Sequence, residues 1–61
     1  MTLRDCPEPK GWRKLAHDLG ETIRVKRVTV DCFRDDAGAY YERFTYPGGR
    51  VRWLKLEEDG P

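Results

Sequence analysis

Residues 34–59 read RDDAGAYYERFTYPGGRVRWLKLEED, where two turn sequences separate runs of aromatic, arginine and aliphatic residues. The sequences DDAGA and PGG supply the Asp, Pro and Gly residues that favour tight turns. The runs before, between and after them contain the β-branched and aromatic residues typical of strands. We therefore predict three strands, at about residues 22–34, 40–46 and 50–57.

A helical pattern precedes the first predicted strand. Four apolar residues are spaced i, i+3, i+4 and i+7, which places them on one stripe of a helix: Trp12, Leu15, Ala16 and Leu19. Two prolines in residues 5–9 precede this pattern, and Gly20 follows it. We therefore predict a helix at about residues 10–19, which needs to dock on the sheet because it is too short to be stable alone.

The first predicted strand changes phase once. Ile23 and Val25 are odd-numbered, whereas Val28 and Val30 are even-numbered. A bulge near residues 26–27 would keep all four side chains on one face of the sheet.

Favourable cross-strand pairs predict the register of both hairpins, because like charges placed opposite each other are destabilising. In the first hairpin the predicted pairs are Arg34–Tyr40, Phe33–Tyr41, Cys32–Glu42, Asp31–Arg43, Val30–Phe44 and Thr29–Thr45. In the second, a two-residue turn at Gly48 and Gly49 predicts the pairs Tyr46–Val51, Thr45–Arg52, Phe44–Trp53, Arg43–Leu54, Glu42–Lys55 and Tyr41–Leu56.

These elements predict an α+β fold class, a two-layer domain with one N-terminal helix packed on a three-stranded antiparallel β-meander, in the order α-β-β-β. Residues 1–61 are predicted to form a single small domain with an acidic C-terminal end at residues 57–61. The sheet face under the helix would be the core: Val28, Val30, Cys32, Tyr40, Phe44, Tyr46, Val51 and Trp53.

The other, uncovered face of the predicted sheet would carry a patch of apolar, aromatic and arginine side chains: Phe33, Tyr41, Arg43, Arg52, Leu54 and Leu56. Contiguous residues of these types are typical of contact surfaces. We therefore expect a small non-enzymatic binding protein, a regulator or inhibitor that docks this face onto a larger protein. Self-association through the patch, or a C-terminal tail folded over it, would also account for these residues.

The distribution of charge supports a second function. The chain has 12 Lys and Arg against 11 Asp and Glu, a net charge of +1, but residues 1–56 carry 12 basic and 8 acidic residues, a net charge of +4. A nucleic-acid-binding module would contact phosphates through the basic residues of the sheet: Arg24, Lys26, Arg27, Arg50 and Arg52. The same residues also suit edge-strand charges that oppose aggregation.

Catalytic and metal-binding patterns do not emerge from the sequence. His17 and Asp18 are adjacent, so their side chains would point about 100° apart on the predicted helix and would not form an orienting pair. The spacing of Cys6, His17 and Cys32 matches no zinc site. Gly48-Gly49 lacks the following Lys and helix of a phosphate loop. We therefore expect no enzymatic activity, no catalytic residues, no cofactor and no metal.

Two further expectations concern the cysteines and the cellular location. Cys6 and Cys32 are predicted to be free thiols, although a bridge between them stays open at this stage. The sequence contains no apolar run long enough for a membrane span or a secretory signal, which predicts a cytoplasmic protein without a membrane partner.

Overall fold

The computed structural model of the protein describes residues 1–24 and 26–58, with the backbone alone at Leu19 and Glu21. Within these residues the chain forms a five-stranded antiparallel sheet. The elements are β1 (Thr2–Asp5), a 3₁₀ helix (Trp12–Lys14), β2 (Ala16–Ile23), β3 (Val28–Arg34), β4 (Tyr40–Thr45) and β5 (Val51–Glu57). The strands lie in the order β1-β5-β4-β3-β2, so β2 to β5 form a meander and β1 pairs with β5.

The predicted α+β fold is wrong, because a 3₁₀ turn and an edge strand replace the helix predicted at residues 10–19. Gly11 adopts a left-handed φ of 67° before the 3₁₀ helix, and Leu15 is extended after it. From Ala16 onward the backbone pairs with β3. A short isolated helix is marginally stable, whereas a strand at this position satisfies backbone groups along the length of β3. Long-range pairing therefore prevails over the local helical pattern.

β2 and β3 form a hairpin, so the single strand predicted over residues 22–34 is wrong. The chain reverses between Ile23 and Val28, and Arg27 has a left-handed φ of 52°. This turn contains no Gly or Pro, which is why the sequence resembles one long strand. The predicted inward position of Val25, the side chain of Leu19 and the chain beyond residue 58 lie outside the described residues.

The bulge predicted near residues 26–27 lies instead between Leu19 and Thr22, where the register of β2 shifts against β3. Gly20 occupies this bulge. An added Cβ at Gly20 would lie 2.5 Å from the carbonyl oxygen of Val30. Glycine is therefore required here because β2 approaches β3 too closely for a side chain.

The predicted register of β3 and β4 is confirmed along the whole ladder, from Arg34 beside Tyr40 to Thr29 beside Thr45. Asp35 organises the turn between these strands. Its carboxylate accepts hydrogen bonds from the N–H groups of residues 37 and 39, at 2.9 and 2.8 Å. The turn sequence thus fixes its own geometry, as Asp commonly does in such positions.

The predicted register of β4 and β5 is wrong by one residue. Arg43 pairs with Trp53, whereas the sequence predicted that it would pair with Leu54. Because successive side chains of a strand point to opposite faces, this difference exchanges the two faces of β5. Trp53 therefore lies on the same face as Arg43 and Phe33, and not on the face predicted for the core.

The turn between β4 and β5 explains this register. The N–H of Tyr46 donates to the carbonyl oxygen of Arg50 at 2.8 Å, which leaves residues 47–49 as a three-residue loop. A two-residue Gly48-Gly49 turn would need a hydrogen bond from the N–H of Pro47, and proline has none. Gly48 and Gly49 both adopt a φ of 93°, which a three-residue loop accommodates.

The two faces of the sheet are unlike in composition. The aromatic face is defined by His17, Asp31, Phe33, Tyr41, Arg43, Trp53 and Lys55. The open face is defined by Leu3, Asp5, Ala16, Asp18, Gly20, Ile23, Val28, Val30, Cys32, Arg34, Tyr40, Glu42, Phe44, Arg52, Leu54 and Leu56. The segment 6–15 crosses the aromatic face, where Trp12 contacts Phe33 and Trp53. The 3₁₀ helix of this segment is the one helix among the described residues, and it lies over the aromatic face.

Buried apolar side chains are divided between these faces. Phe33 and Trp53 are buried on the aromatic face. Val28, Val30 and Leu54 are buried on the open face. Val51, which was predicted to lie in the core, is 46% exposed because the register places it near the end of the aromatic face.

Candidate functional site

The predicted docking surface is not assembled by the structure. Its members divide between the two faces, with Phe33, Tyr41 and Arg43 on the aromatic face and Arg52, Leu54 and Leu56 on the open face. Phe33 and Leu54 are only 3% and 7% exposed, so neither offers an accessible anchor. The six residues had been grouped by the predicted β4–β5 register, which differs from the observed register by one residue.

The aromatic face is closed by a cluster of three rings around one guanidinium. The ring centres of Trp12, Phe33 and Trp53 lie 5.3 to 5.5 Å from one another. The guanidinium of Arg43 lies 4.6 Å from the ring centre of Trp12 and 5.3 Å from that of Phe33. Such cation–π contacts stabilise a partly buried charge. The cluster is therefore a packed core in which Phe33 and Trp53 are buried and Trp12 is half-buried.

Asp31 supplies the counterion for this cluster. Its side chain is buried, and its carboxylate accepts a hydrogen bond from Arg43 at 3.0 Å and lies 2.9 Å from Nε2 of His17. Burial alone would raise the pKa of Asp31, but the hydrogen bonds from His17 and Arg43 outweigh it and lower the pKa below its ordinary value. His17 also stacks on Phe33 at 4.5 Å between ring centres. His17 therefore supports the fold instead of facing a nucleophile.

The open face carries two adjoining shallow cavities, and Cys32 lines both. The lower cavity, of about 330 Å³, is lined mainly by apolar groups: Gly20, Ile23, Val30, Cys32, Glu42 and Phe44. The upper cavity, of about 240 Å³, is more polar and is lined by Ala16, Asp18, Cys32, Phe33, Arg34 and Tyr40. Because Gly20 has no side chain, the lower cavity stays open beside Cys32.

A hydrogen-bonded group joins the two cavities. The hydroxyl of Tyr40 lies 2.8 Å from a carboxylate oxygen of Glu42 and 3.1 Å from Sγ of Cys32. The hydrogen bond with Cys32, partial burial and the carboxylate of Glu42 together raise the pKa of Tyr40. Tyr40 therefore stays neutral at physiological pH and holds Glu42 in a fixed position on the open face.

The basic residues of the alternative prediction do come together. Arg24, Lys26 and Arg27 lie in the turn between β2 and β3, and Arg50 lies in the turn between β4 and β5. All four are exposed. Arg52 is at the same end of the sheet but makes two hydrogen bonds to the carboxylate of Asp5, at 2.6 and 3.1 Å. This contact lowers the pKa of Asp5 and raises that of Arg52, so both stay charged and paired.

A third cavity lies on the aromatic face, between the segment after β1 and the sheet. It is lined by Cys6, Pro7, Glu8, Pro9, Lys10, Tyr41 and Lys55. Partial burial raises the pKa of the Cys6 thiol. Cys6 and Cys32 are both free thiols and lie on opposite faces of the sheet. A bridge between them is therefore not formed in this fold.

Sequence reasoning missed the exposed apolar residues of the open face. Leu3 is 38% exposed and pairs beside Leu56, and Ile23 is 39% exposed and pairs beside Val28. Residues 5–9 were interpreted as the entry to a helix, and the strand β1 that precedes them was not predicted. The missing N–H of Pro47 is the signal that could have revealed the correct β4–β5 register, and with it the correct faces.

Comparison with known proteins does not identify a relative. No family model matches the chain, and no curated protein and no solved structure is significantly similar to it. Within the described residues, no group of three or more His, Cys, Asp and Glu side chains could hold a metal ion. In the same part of the chain, no helix is long and apolar enough to cross a membrane.

Proposed function

We propose that the protein is a small non-enzymatic binding protein, a regulator or inhibitor that docks the open face of its sheet onto a larger protein. The observation that carries this proposal is the open face itself, which carries the exposed apolar side chains of Leu3 and Ile23 and the half-buried ones of Phe44 and Leu56. The contact surface is therefore different from the one predicted from the sequence. It uses Leu56 of the original six residues, together with Leu3, Ile23 and Phe44.

The chemistry of the open face suits a protein partner. Leu3 and Ile23 are each close to 40% exposed, at opposite edges of the sheet. Between them, Phe44 and Leu56 are half-buried and surround the buried Leu54. Glu42 lies between Cys32 and Leu54 on this face, so a partner would meet apolar side chains around one central carboxylate. Removing these side chains from water on docking would provide the main favourable free energy.

The two cavities indicate what the partner would present. An apolar side chain fits the lower cavity, where Ile23, Val30 and Phe44 form the walls. A polar side chain fits the upper cavity, where Asp18 and Arg34 offer charges of both signs. A strand or extended segment of the partner would bring two such side chains to the two cavities, because alternate residues of a strand share one face. Cys32 would lie under the segment between them.

The proposal includes a cytoplasmic location and the absence of enzymatic activity. His17 is held by Asp31 and stacked on Phe33. Cys32 contacts the hydroxyl of Tyr40, and His17, the one histidine of the sequence, lies on the other face of the sheet and cannot act as a general base for this thiol. Binding by shape and apolar contact is therefore the activity that the open face supports.

The experiment that tests this proposal is site-directed photo-cross-linking with a matched control. Leu3 on the open face and Val51 on the aromatic face would each be replaced by p-benzoylphenylalanine, since both native side chains are exposed. The two proteins would be expressed in the native host, irradiated and analysed by mass spectrometry. We expect one defined protein cross-linked through position 3 and not through position 51.

The cross-linked protein would then be purified and its affinity measured by calorimetry. The double variant Leu3→Ser/Ile23→Ser is expected to weaken binding by about tenfold or more, which corresponds to about 1.4 kcal/mol. Val51→Ser should leave the affinity unchanged, because Val51 lies on the other face. Equal cross-linking from both positions, or unchanged affinity of the double variant, would refute the proposal. A cross-link between two copies of this chain would show that the open face mediates self-association and does not bind a larger protein.

A further inference from the structure

Two neighbouring loops bring basic side chains to one end of the sheet. The chain turns between Ile23 at the end of β2 and Val28 at the start of β3, and again at residues 46–50 between β4 and β5. Because the strands are antiparallel and β3 pairs with β4, the two loops lie side by side. Their centres are two strand spacings apart, or roughly 10 Å. We name this group of side chains the basic end: Arg24, Lys26, Arg27 and Arg50.

All four side chains of the basic end are exposed. No carboxylate among the side chains that the structure describes lies within ion-pair distance of them. The nearby pair of Asp5 and Arg52 contributes no net charge. The basic end therefore presents about four positive charges to solvent.

Acidic residues gather at the opposite end of the sheet. Asp35 and Asp36 lie in the loop between β3 and β4, and Glu57 and Glu58 lie at the end of β5. β5 has seven residues, which separates its two ends by roughly 20 Å. The Debye length at physiological salt is about 8 Å, so charges separated by more than this distance are largely screened from each other. These carboxylates therefore have little effect on the basic end. The net charge of the chain is small because the positive charges at one end of the sheet are balanced by negative charges at the other end.

The arrangement of the four cations suits a row of anions. They are spread over two loops and do not converge on one point, so a single small anion would contact only part of the basic end. Successive phosphates of a nucleic acid strand are about 3.4 Å apart along the helix axis, so roughly three of them span the two loops. The guanidinium of Arg50 is held 4.9 Å from the ring centre of Tyr46, which limits the side-chain entropy lost on binding.

We propose that the basic end binds the phosphate backbone of a nucleic acid without reading its base sequence. This surface is separate from the docking surface of the open face, because it consists of loop residues at one end of the sheet. The two proposals therefore stand or fall independently. The open-face variant Leu3→Ser is expected to bind nucleic acid as the native protein does.

The test is fluorescence anisotropy with a labelled 20-base-pair DNA duplex of mixed sequence and a single-stranded RNA of 20 nucleotides. Four phosphate contacts on duplex DNA predict a slope of log K against log salt of about −3.6, which lowers the affinity about 150-fold between 50 and 200 mM salt. In the double variant Arg24→Gln/Lys26→Gln two phosphate contacts remain. The slope should therefore become shallower, at about −1.8, and the affinity should decrease only about 12-fold between 50 and 200 mM salt.

The matched control is Lys10→Gln/Lys14→Gln, which removes the same charge from the exposed segment that crosses the aromatic face. This variant should keep the native slope, whereas an equal effect of both double variants would show that only net charge matters and would overturn the proposal. An absence of binding at 50 mM salt and 100 μM protein would also overturn it. Equally tight binding of poly-L-glutamate would assign the basic end to an acidic protein instead.

Discussion

Replacing Asp31 with alanine is expected to destabilise the protein strongly, because Asp31 is the buried counterion of the aromatic face. The Asp31 side chain is 5% exposed and bonds to Arg43 and His17 at 3.0 and 2.9 Å. In Asp31→Ala the guanidinium of Arg43 would stay among the three rings without its carboxylate. Breaking a buried pair in this way costs about 3 kcal/mol. A protein of this size has a free energy of unfolding of roughly 3 to 9 kcal/mol, so the loss is a large fraction of the whole.

Urea denaturation followed by tryptophan fluorescence would measure this loss, since Trp12 and Trp53 both lie in the cluster around Arg43. Asp5→Ala is the control, because Asp5 also pairs with an arginine but on the exposed surface. Exposed pairs contribute little, so the urea midpoint of this control should hardly move. Equal midpoints for Asp31→Ala and the native protein would refute the account of the aromatic face.

The pH dependence of stability provides a second readout of the same pair. The pKa of Asp31 is lowered in the folded protein from its ordinary value of 3.8. The folded state therefore favours the charged carboxylate, and the stabilisation is complete above this value and is lost as the pH falls through the folded pKa. Asp31→Asn should be less stable at neutral pH and should lose less stability between pH 5 and pH 2. An unchanged acid profile would contradict the assignment.

Three further substitutions test other parts of the structure. Gly20→Ala should cost about 2 kcal/mol in urea unfolding, because the added Cβ would meet the carbonyl oxygen of Val30, and full stability would contradict the bulge. Trp12→Ala should cost about 3 kcal/mol by removing one ring of the cluster, and a loss below about 1 kcal/mol would show that the aromatic face is not packed. In alkaline absorbance titration the last tyrosine to ionise should be missing from Tyr40→Phe, since hydrogen bonding, burial and Glu42 raise the pKa of Tyr40. The stabilisation that neutral Tyr40 contributes to the native protein is present below pH 10 and is lost as the pH rises through this raised pKa. An unchanged titration of Tyr40→Phe would contradict the assignment.

The parts of the fold that the sequence predicted correctly are those that local chemistry determines. The β3–β4 hairpin has Asp35 to close its turn and Asp31 opposite Arg43 to fix its register, and both are visible in the sequence. The stretch from Trp12 to Leu19 has a helical spacing, but pairing with β3 requires a contact that no local pattern reveals. The 3₁₀ turn and β2 therefore could not be derived from periodicity alone.

The two candidate surfaces differ in how strongly the placement of their residues depends on strand register. The face that a strand residue occupies depends on register. The predicted β4–β5 register differs by one residue from the observed one, so Phe33 and Leu54, which were predicted to share a face, lie on opposite faces. Which end of the sheet a loop residue occupies depends only on the order of the strands. Arg24 and Arg50 are therefore brought to one end despite this difference in register, since β3 and β4 are neighbours as predicted.

The most direct test of the open face uses the two free thiols already present in the protein. Cys32 lies between the two cavities of the open face, and Cys6 lies on the aromatic face. Alkylation of both cysteines would be measured by mass spectrometry in living cells of the native host and in the purified protein. Docking of a partner predicts that Cys32 is alkylated at least tenfold more slowly in cells, relative to Cys6, than in the purified protein. An unchanged ratio of the two rates would contradict the proposal that the open face binds a larger protein.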